Sequence, residues 1–161
     1  MRAYRFCPQC AVPLAAGMHG GAERFACPAC DFVHWDIPVP VVAAIVEHEG
    51  GVILARNKDW PEKMFGLITG FLEKDETPEA GVAREVKEEL GLDATAIHFV
   101  GLYPFARRNE LLIAYHVPAA GEVVLNEELA AYKRIVPEKL RPWDFGTGLA
   151  LADWLRNRGP L

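Results

Sequence analysis

Three glutamates, Glu85, Glu88 and Glu89, fall at i, i+3 and i+4 within the stretch VAREVKEELGL. On a helix that spacing stands them on one face within a single turn. Oxygen ligands on one rigid ridge suit a hard divalent cation such as magnesium or manganese, which binds through a few carboxylates, water and substrate phosphates. Without an ion, the same residues would form a solvated acidic face, destabilised by only about 0.2–0.5 kcal/mol per like-charge pair. The wider pattern decides between these readings. Gly70, Glu76, Arg84, Glu85, Glu88, Glu89 and Gly91, with apolar Val86 and Leu92, stand at fixed intervals. At average residue usage the specified types would arise by chance on the order of 10⁻⁹ to 10⁻⁸ times per starting position.

The element that must present this ridge is well punctuated. Thr77 is a capping residue, Pro78 suits the first helical position, and Gly91 can take the left-handed conformation that ends a helix. A helix is predicted over Pro78–Leu90. At 100° per residue, Glu79, Val82, Ala83, Val86 and Leu90 share one side, and the three glutamates another. The apolar side faces a core. Arg84, four residues before Glu88, is the nearest counter-charge.

The run from Gly70 to Leu92 resembles the Nudix box of the Nudix hydrolases, with no departure at any fixed position. The resemblance implies a loop-helix-loop that binds divalent metal and cleaves a diphosphate joining a nucleoside to another moiety. It implies metal-ligand roles for Glu85, Glu88, Glu89 and the carbonyl of Gly70. Arg84 and Glu76 become the partners that hold the catalytic loop and helix in place. Glu85 and Glu128 are the candidates for the base that takes a proton from water. Glu128, in Asn126-Glu127-Glu128-Leu129, is favoured because Glu-Leu there resembles a segment of zinc-ribbon NADH pyrophosphatases. Glu127 reads as a plain exposed charge.

Cys7-Pro-Gln-Cys10 and Cys27-Pro-Ala-Cys30 are two CxxC knuckles separated by 16 residues, a spacing that fits a four-thiolate zinc site. Four thiolates leave the ion no open position, so the zinc is structural rather than catalytic. A redox pair would stand near a βαβ pattern, which is not evident here. Gly17, Gly20 and Gly21 permit a tight return between the knuckles, and His19 and His34 read as surface residues. The prolines of Asp36-Ile37-Pro38-Val39-Pro40 stiffen a linker. We therefore expect a zinc ribbon over 1–36 and a Nudix hydrolase domain over 37–161.

With 161 residues, 51% of them hydrophobic, the chain can bury a core without disulfides. A net charge of -5 argues against nucleic acid as a partner. No signal-like apolar core and no run of 18 apolar residues is present, so no membrane segment is expected and a cytoplasmic protein is. A zinc-dependent homodimer stays open.

Elsewhere the pattern predicts strands over Val41–Glu47, Val52–Arg56, Ala96–Tyr103, Leu111–Val117 and Tyr132–Val136, and a closing helix over Gly148–Arg158. Loops are expected over Pro104–Glu110 and at Ala119-Ala120-Gly121-Glu122. The fold class is α+β, a Nudix-type α/β/α sandwich with a mixed sheet preceded by a small zinc ribbon. The zinc ribbon is similar to that of the NADH pyrophosphatase subgroup. That subgroup carries Ser-Gln-Pro-Trp-Pro-Phe-Pro after the box, of which only Pro104-Phe105 remains here. Arg141-Pro142-Trp143-Asp144-Phe145 is more similar to plant zinc-ribbon relatives that act on FAD. The substrate expected is thus of FAD, NADH or ADP-ribose type, with Phe65, Tyr103, Phe105 and Trp143 as stacking candidates and Arg56 as a phosphate contact. The competing class is a non-catalytic zinc-ribbon protein that senses a nucleotide or binds RNA.

Overall fold

Val39 to His48 reads VPVVAAIVEH, apolar on both alternating faces, and such a strand is stable only between two covered faces of a sheet. That strand, β4, is the centre of the molecule in the computed structural model, which describes residues 4–158. The chain divides into two compact units, one ending at Pro38 and the other beginning at Val39. The outermost three residues of each expected module's free end lie outside the described residues.

The first unit holds β1 (Ala15–His19), β2 (Ala22–Ala26) and β3 (Val33–His34), an antiparallel sheet in that order. Its tight return is made by Gly20 and Gly21 at φ 59° and 81°, whereas Gly17 lies within β1 opposite Arg24. A residue other than glycine at 20 would also meet the Trp35 ring at 2.8 Å.

The second unit continues with β5 (Gly51–Asn57), β6 (Ile68–Phe71), α1 (Pro78–Leu90), β7 (Asp93–Ala94), β8 (His98–Phe105), β9 (Glu110–Ala120), β10 (Leu129–Ile135) and α2 (Thr147–Asn157). The sheet order is β10-β5-β4-β9-β7, with β6 pairing β4 and β8 pairing β9. All pairs are antiparallel except β4 with β9, so the sheet is mixed. Val42, Ala44 and Val46 of β4 pack with Val82, Val86 and Leu90 of α1. Ile45, from the other face, packs with Leu151 and Trp154 of α2. Helix, sheet and helix form the expected three layers. Among the described residues no helix is long and apolar enough to cross a membrane.

Glu49 and Gly50, at φ 46° and 74°, form a two-residue turn between β4 and β5, the twist-matched geometry of tight hairpins. Both ends of α1 are as the sequence predicts: the Thr77 hydroxyl accepts from Ala80 N–H at 3.2 Å, and Gly91 at φ 70° donates to the Lys87 carbonyl. Glu79, on the core side of α1, is satisfied by the Tyr115 hydroxyl at 2.8 Å. Strand boundaries shift by up to three residues, β10 for example beginning at Leu129 rather than Tyr132, and two expected loops are partly strand. β8 runs through Pro104 and Phe105, because β8 pairs only with β9 and its open edge tolerates a missing N–H. β9 runs on through Ala119 and Ala120, which pair with β7 rather than turning.

Candidate functional site

Arg84 is the hub of the ridge. Its Nε and Nη2 donate to the two carboxylate oxygens of Glu76 at 2.8 and 3.1 Å, a bidentate grip. Nη1 donates to Glu85 at 2.7 Å and Glu88 at 3.0 Å, and Nη2 also reaches the Phe71 carbonyl at 3.1 Å. One guanidinium therefore ties the β6 end, the loop and two ridge carboxylates together. The Glu76 carboxyl is lowered by its Arg84 bonds and then by the Glu73 N–H. Arg84 itself is held firmly charged, above all by Glu76.

Glu85 and Glu89 are less comfortable. Burial is the main cause that raises the Glu85 carboxyl, against the pull of Arg84. Burial pushes Glu89 up to about 8, helped by the negative charges of Glu85, Glu128 and Glu88. No hydrogen-bond donor partners the Glu89 carboxylate among the described residues. A bound cation would stabilise the charged form of a half-buried carboxylate facing three others, and hard oxygen donors of this kind fit a divalent ion such as magnesium or manganese. Gly70 is part of the same fit. Its φ is ordinary, but a Cβ built there would collide with the Glu85 carboxyl. The glycine is needed for close approach rather than for a bend.

These groups face a cavity of about 810 Å³. Gly70, Glu85, Glu88, Glu89 and Glu128 line it, and Glu127 does not. Another part of the lining is aromatic: Trp60, Phe65, Phe105, Trp143 and Phe145. Phe105 and Phe145 stack with centroids 6.4 Å apart and planes 23° from parallel. Arg108 lies at the lining and pairs at 3.0 Å with Glu110, which is only 7% exposed. Tyr103 and Arg56 are not brought to this cavity. The Tyr103 hydroxyl donates to Asp153 of α2 at 2.8 Å, which turns the ring into the core, and Arg56 sits half-buried on β5 opposite Ala131.

Sequence reasoning missed Trp60, Lys63, Arg108, Glu110, Phe145 and Asn126, all of which line the cavity. Asn126 had a local signal. Its side-chain oxygen accepts from Glu128 N–H at 3.0 Å and Leu129 N–H at 3.2 Å, the turn that asparagine forms two and three residues ahead.

In the first unit, Sγ atoms lie 3.5 Å apart for Cys7–Cys30, 3.4 Å for Cys10–Cys27 and 3.9 Å for Cys10–Cys30. Four sulfurs at tetrahedral positions around a zinc ion would be separated by about 3.8 Å. All four ligand atoms fall within 4.8 Å of one another, and none is disulfide-bonded. Gln9 N–H and Ala29 N–H each donate to a cysteine sulfur at 3.4 Å, the outer hydrogen bonds that orient thiolate ligands. The cluster fits a closed zinc site.

The NUDIX domain family matches residues 37–154. The chain belongs to the Nudix family. It is 34% identical over 145 residues to the NAD-capped RNA hydrolase NudC of Vibrio vulnificus, an overlap covering 86% of this chain and 53% of that protein. This Nudix chain spans about half the length of the curated relatives it matches. A crystal structure of a NUDIX hydrolase from Nitrosomonas europaea shares the fold with a TM-score of 0.80, covering 96% of this chain and 92% of that one at 22% identity. An ADP-ribose pyrophosphatase from Streptococcus suis shares it with a TM-score of 0.62, covering 75% and 92% at 24% identity.

Proposed function

We propose that this Nudix chain is a metal-dependent pyrophosphohydrolase that cleaves a nucleoside diphosphate linked to another moiety, of FAD, NADH or ADP-ribose type. The observation that carries the reading is the cavity of about 810 Å³ lined both by the carboxylates of Glu85, Glu88, Glu89 and Glu128 and by stacked aromatic rings. Glu85, Glu88, Glu89 and the Gly70 carbonyl would hold magnesium or manganese. Such ions, when bound, neutralise the charge of a diphosphate and acidify water.

The chain's own groups supply the rest. Glu128 takes the proton from the attacking water, with Glu85 the alternative base. Arg84 does not touch substrate in this scheme. It fixes the direction of Glu85 and Glu88, and through Glu76 and the Phe71 carbonyl it keeps Gly70 against them. Phe105 and Phe145 offer a ring surface for a base or flavin, and Arg108 offers a guanidinium to a phosphate. Residues 37–161 would form the catalytic domain. Residues 1–36 would form a ribbon that holds zinc as a structural ion, in the reduced thiol state suited to a cytoplasmic setting.

The Vibrio vulnificus relative is named for NAD-capped RNA, so the capped end of an RNA joins the candidate substrates despite the acidic charge of this chain. The test is metal-dependent turnover of FAD, NADH, ADP-ribose, diadenosine polyphosphates, nucleoside triphosphates and an NAD-capped oligoribonucleotide. Release of a nucleoside monophosphate with magnesium or manganese, abolished by chelator, is the expected result. Binding of any of these without turnover would establish the competing reading of a nucleotide-sensing or RNA-binding protein.

A further inference from the structure

We propose that Asn126 is a positioning residue that sets Glu128 opposite the glutamate ridge, by bracing the loop before β10 onto the last turn of α1. The inference rests on the reading of Glu128 as the base and deepens it.

The brace has two arms. On one side the backbone N–H of Asn126 donates to the carbonyl of Glu89 at 3.2 Å, next to Val124 N–H, which donates to the Leu90 carbonyl at 2.8 Å. Those carbonyls belong to the last turn of α1, which has no helical donors of its own to give them. The loop therefore completes the helix that carries the ridge. On the other side the Asn126 side-chain oxygen accepts from the N–H groups of Glu128 and Leu129 at 3.0 and 3.2 Å. The Glu128 carbonyl in turn accepts from Lys58 N–H at 2.9 Å. Leu129 is buried in the core shared by α1 and the sheet, so the turn is fixed at its far end as well.

One residue thus relates the backbone of Glu89 to the backbone of Glu128. The result is visible in the site: Glu128 lines the cavity and acts on both Glu85 and Glu89, while its neighbour Glu127 stays outside it. The residue type is also informative. The turn needs a short side chain with a carbonyl-like acceptor, which asparagine and aspartate both supply. Only asparagine supplies it without adding another negative charge beside Glu85, Glu88, Glu89 and Glu128. An alanine would keep the backbone arm and lose the side-chain arm.

The experiment is a double-mutant cycle on kcat and KM with whichever substrate the panel above shows to be turned over, at saturating metal. Asn126→Ala is expected to lower kcat by about 10- to 100-fold, the cost of a misplaced catalytic group, with KM changed less than about twofold. In an Glu128→Gln background the same alanine should cost nothing further, because a group acting through Glu128 has nothing left to position. Asn126→Ser, whose hydroxyl can make the same turn more weakly and without added charge, should recover kcat to at least about threefold above the alanine variant. The proposal is overturned if Asn126→Ala keeps kcat within twofold, if its loss multiplies that of Glu128→Gln, or if Asn126→Ser is as impaired as the alanine. A Glu128→Gln variant with normal kcat would instead remove the base reading itself, an outcome distinct from those three.

Discussion

The ribbon gathers four thiols and the α1 ridge three carboxylates, yet they do so on different terms. In the ribbon, four sulfurs lie within 4.8 Å of one another and two backbone N–H groups already point at them. Every coordination position is spoken for. On the ridge, the carboxylates stand apart along a cavity wall. Arg84 offsets Glu85 and Glu88, but Glu89 is left with a carboxyl raised to about 8 by burial and by its neighbours. A closed cluster converts ligand repulsion into folding energy once an ion arrives, whereas an open one keeps part of it available for substrate.

The largest effect that would break this contrast lies in the ribbon. Cys27→Ser should abolish zinc binding, and since such ions contribute roughly 10–16 kcal/mol to small zinc modules, the ribbon should unfold. Amide exchange would show Ala15–Ala26 losing protection while Val42–Val46 keep theirs. Persisting protection at Ala15–Ala26 without zinc would mean the cluster is not what folds the ribbon.

Next is the ridge. Glu89→Gln should lower kcat by about 10²-fold or more, a loss comparable to removing one group that stabilises developing charge, with zinc content unchanged. A near-normal rate would remove Glu89 from the ligand set. Smaller is Gly70→Ala, whose Cβ would displace the Glu85 carboxyl. The metal concentration for half-maximal rate should rise about 10- to 100-fold while the melting temperature hardly moves. An unchanged metal requirement would show that Glu85 does not need that approach.

The smallest effect concerns stability in chelator. The carboxyl of Glu89 is raised in the folded chain from its ordinary value of 4.5 to about 8, so the folded state prefers it protonated. Its contribution is fully favourable below pH 4.5 and is lost as pH climbs towards 8. Glutamine carries no such charge. Metal-free Glu89→Gln should therefore be more stable than the parent at pH 8, by about 1–2 kcal/mol after allowance for solvent screening, and equal to it at pH 4.5. Denaturant titrations at the two pH values measure this. A parent that is the more stable at pH 8 would show that the ridge is not under charge strain.

What the sequence disclosed tracks how local each determinant is. Thr77, Pro78 and Gly91 act within a few residues of the helix ends they define, so α1 was legible to the residue, and with it the glutamate ridge. The two knuckles are likewise local, and their cluster was legible from spacing. The aromatic lining was legible in part. Phe65, Phe105 and Trp143 reach the cavity, but Tyr103, which looked like an equal candidate, is covered by α2 and bonded to Asp153. Nothing near Tyr103 in the chain encodes where α2 will land. Arg56 failed for a related reason: no residue of β5 lines the cavity, and Arg56 instead sits opposite Ala131 of β10, next to a register shift between Leu129 and Ala131 that no local signal announces.

The parallel pairing of β4 with β9 sets Val39 beside Glu110 and Glu47 beside Pro118. During synthesis, the central strand must wait for β9, with its hairpin partner and the whole box already outside the ribosome and unable to complete the sheet. Contacts so distant in sequence make for slow folding and a long exposure of the apolar run Val41–Val46. Early nascent chains of this protein should accordingly be clients of whatever shields hydrophobic strands, until β9 emerges and closes the sheet.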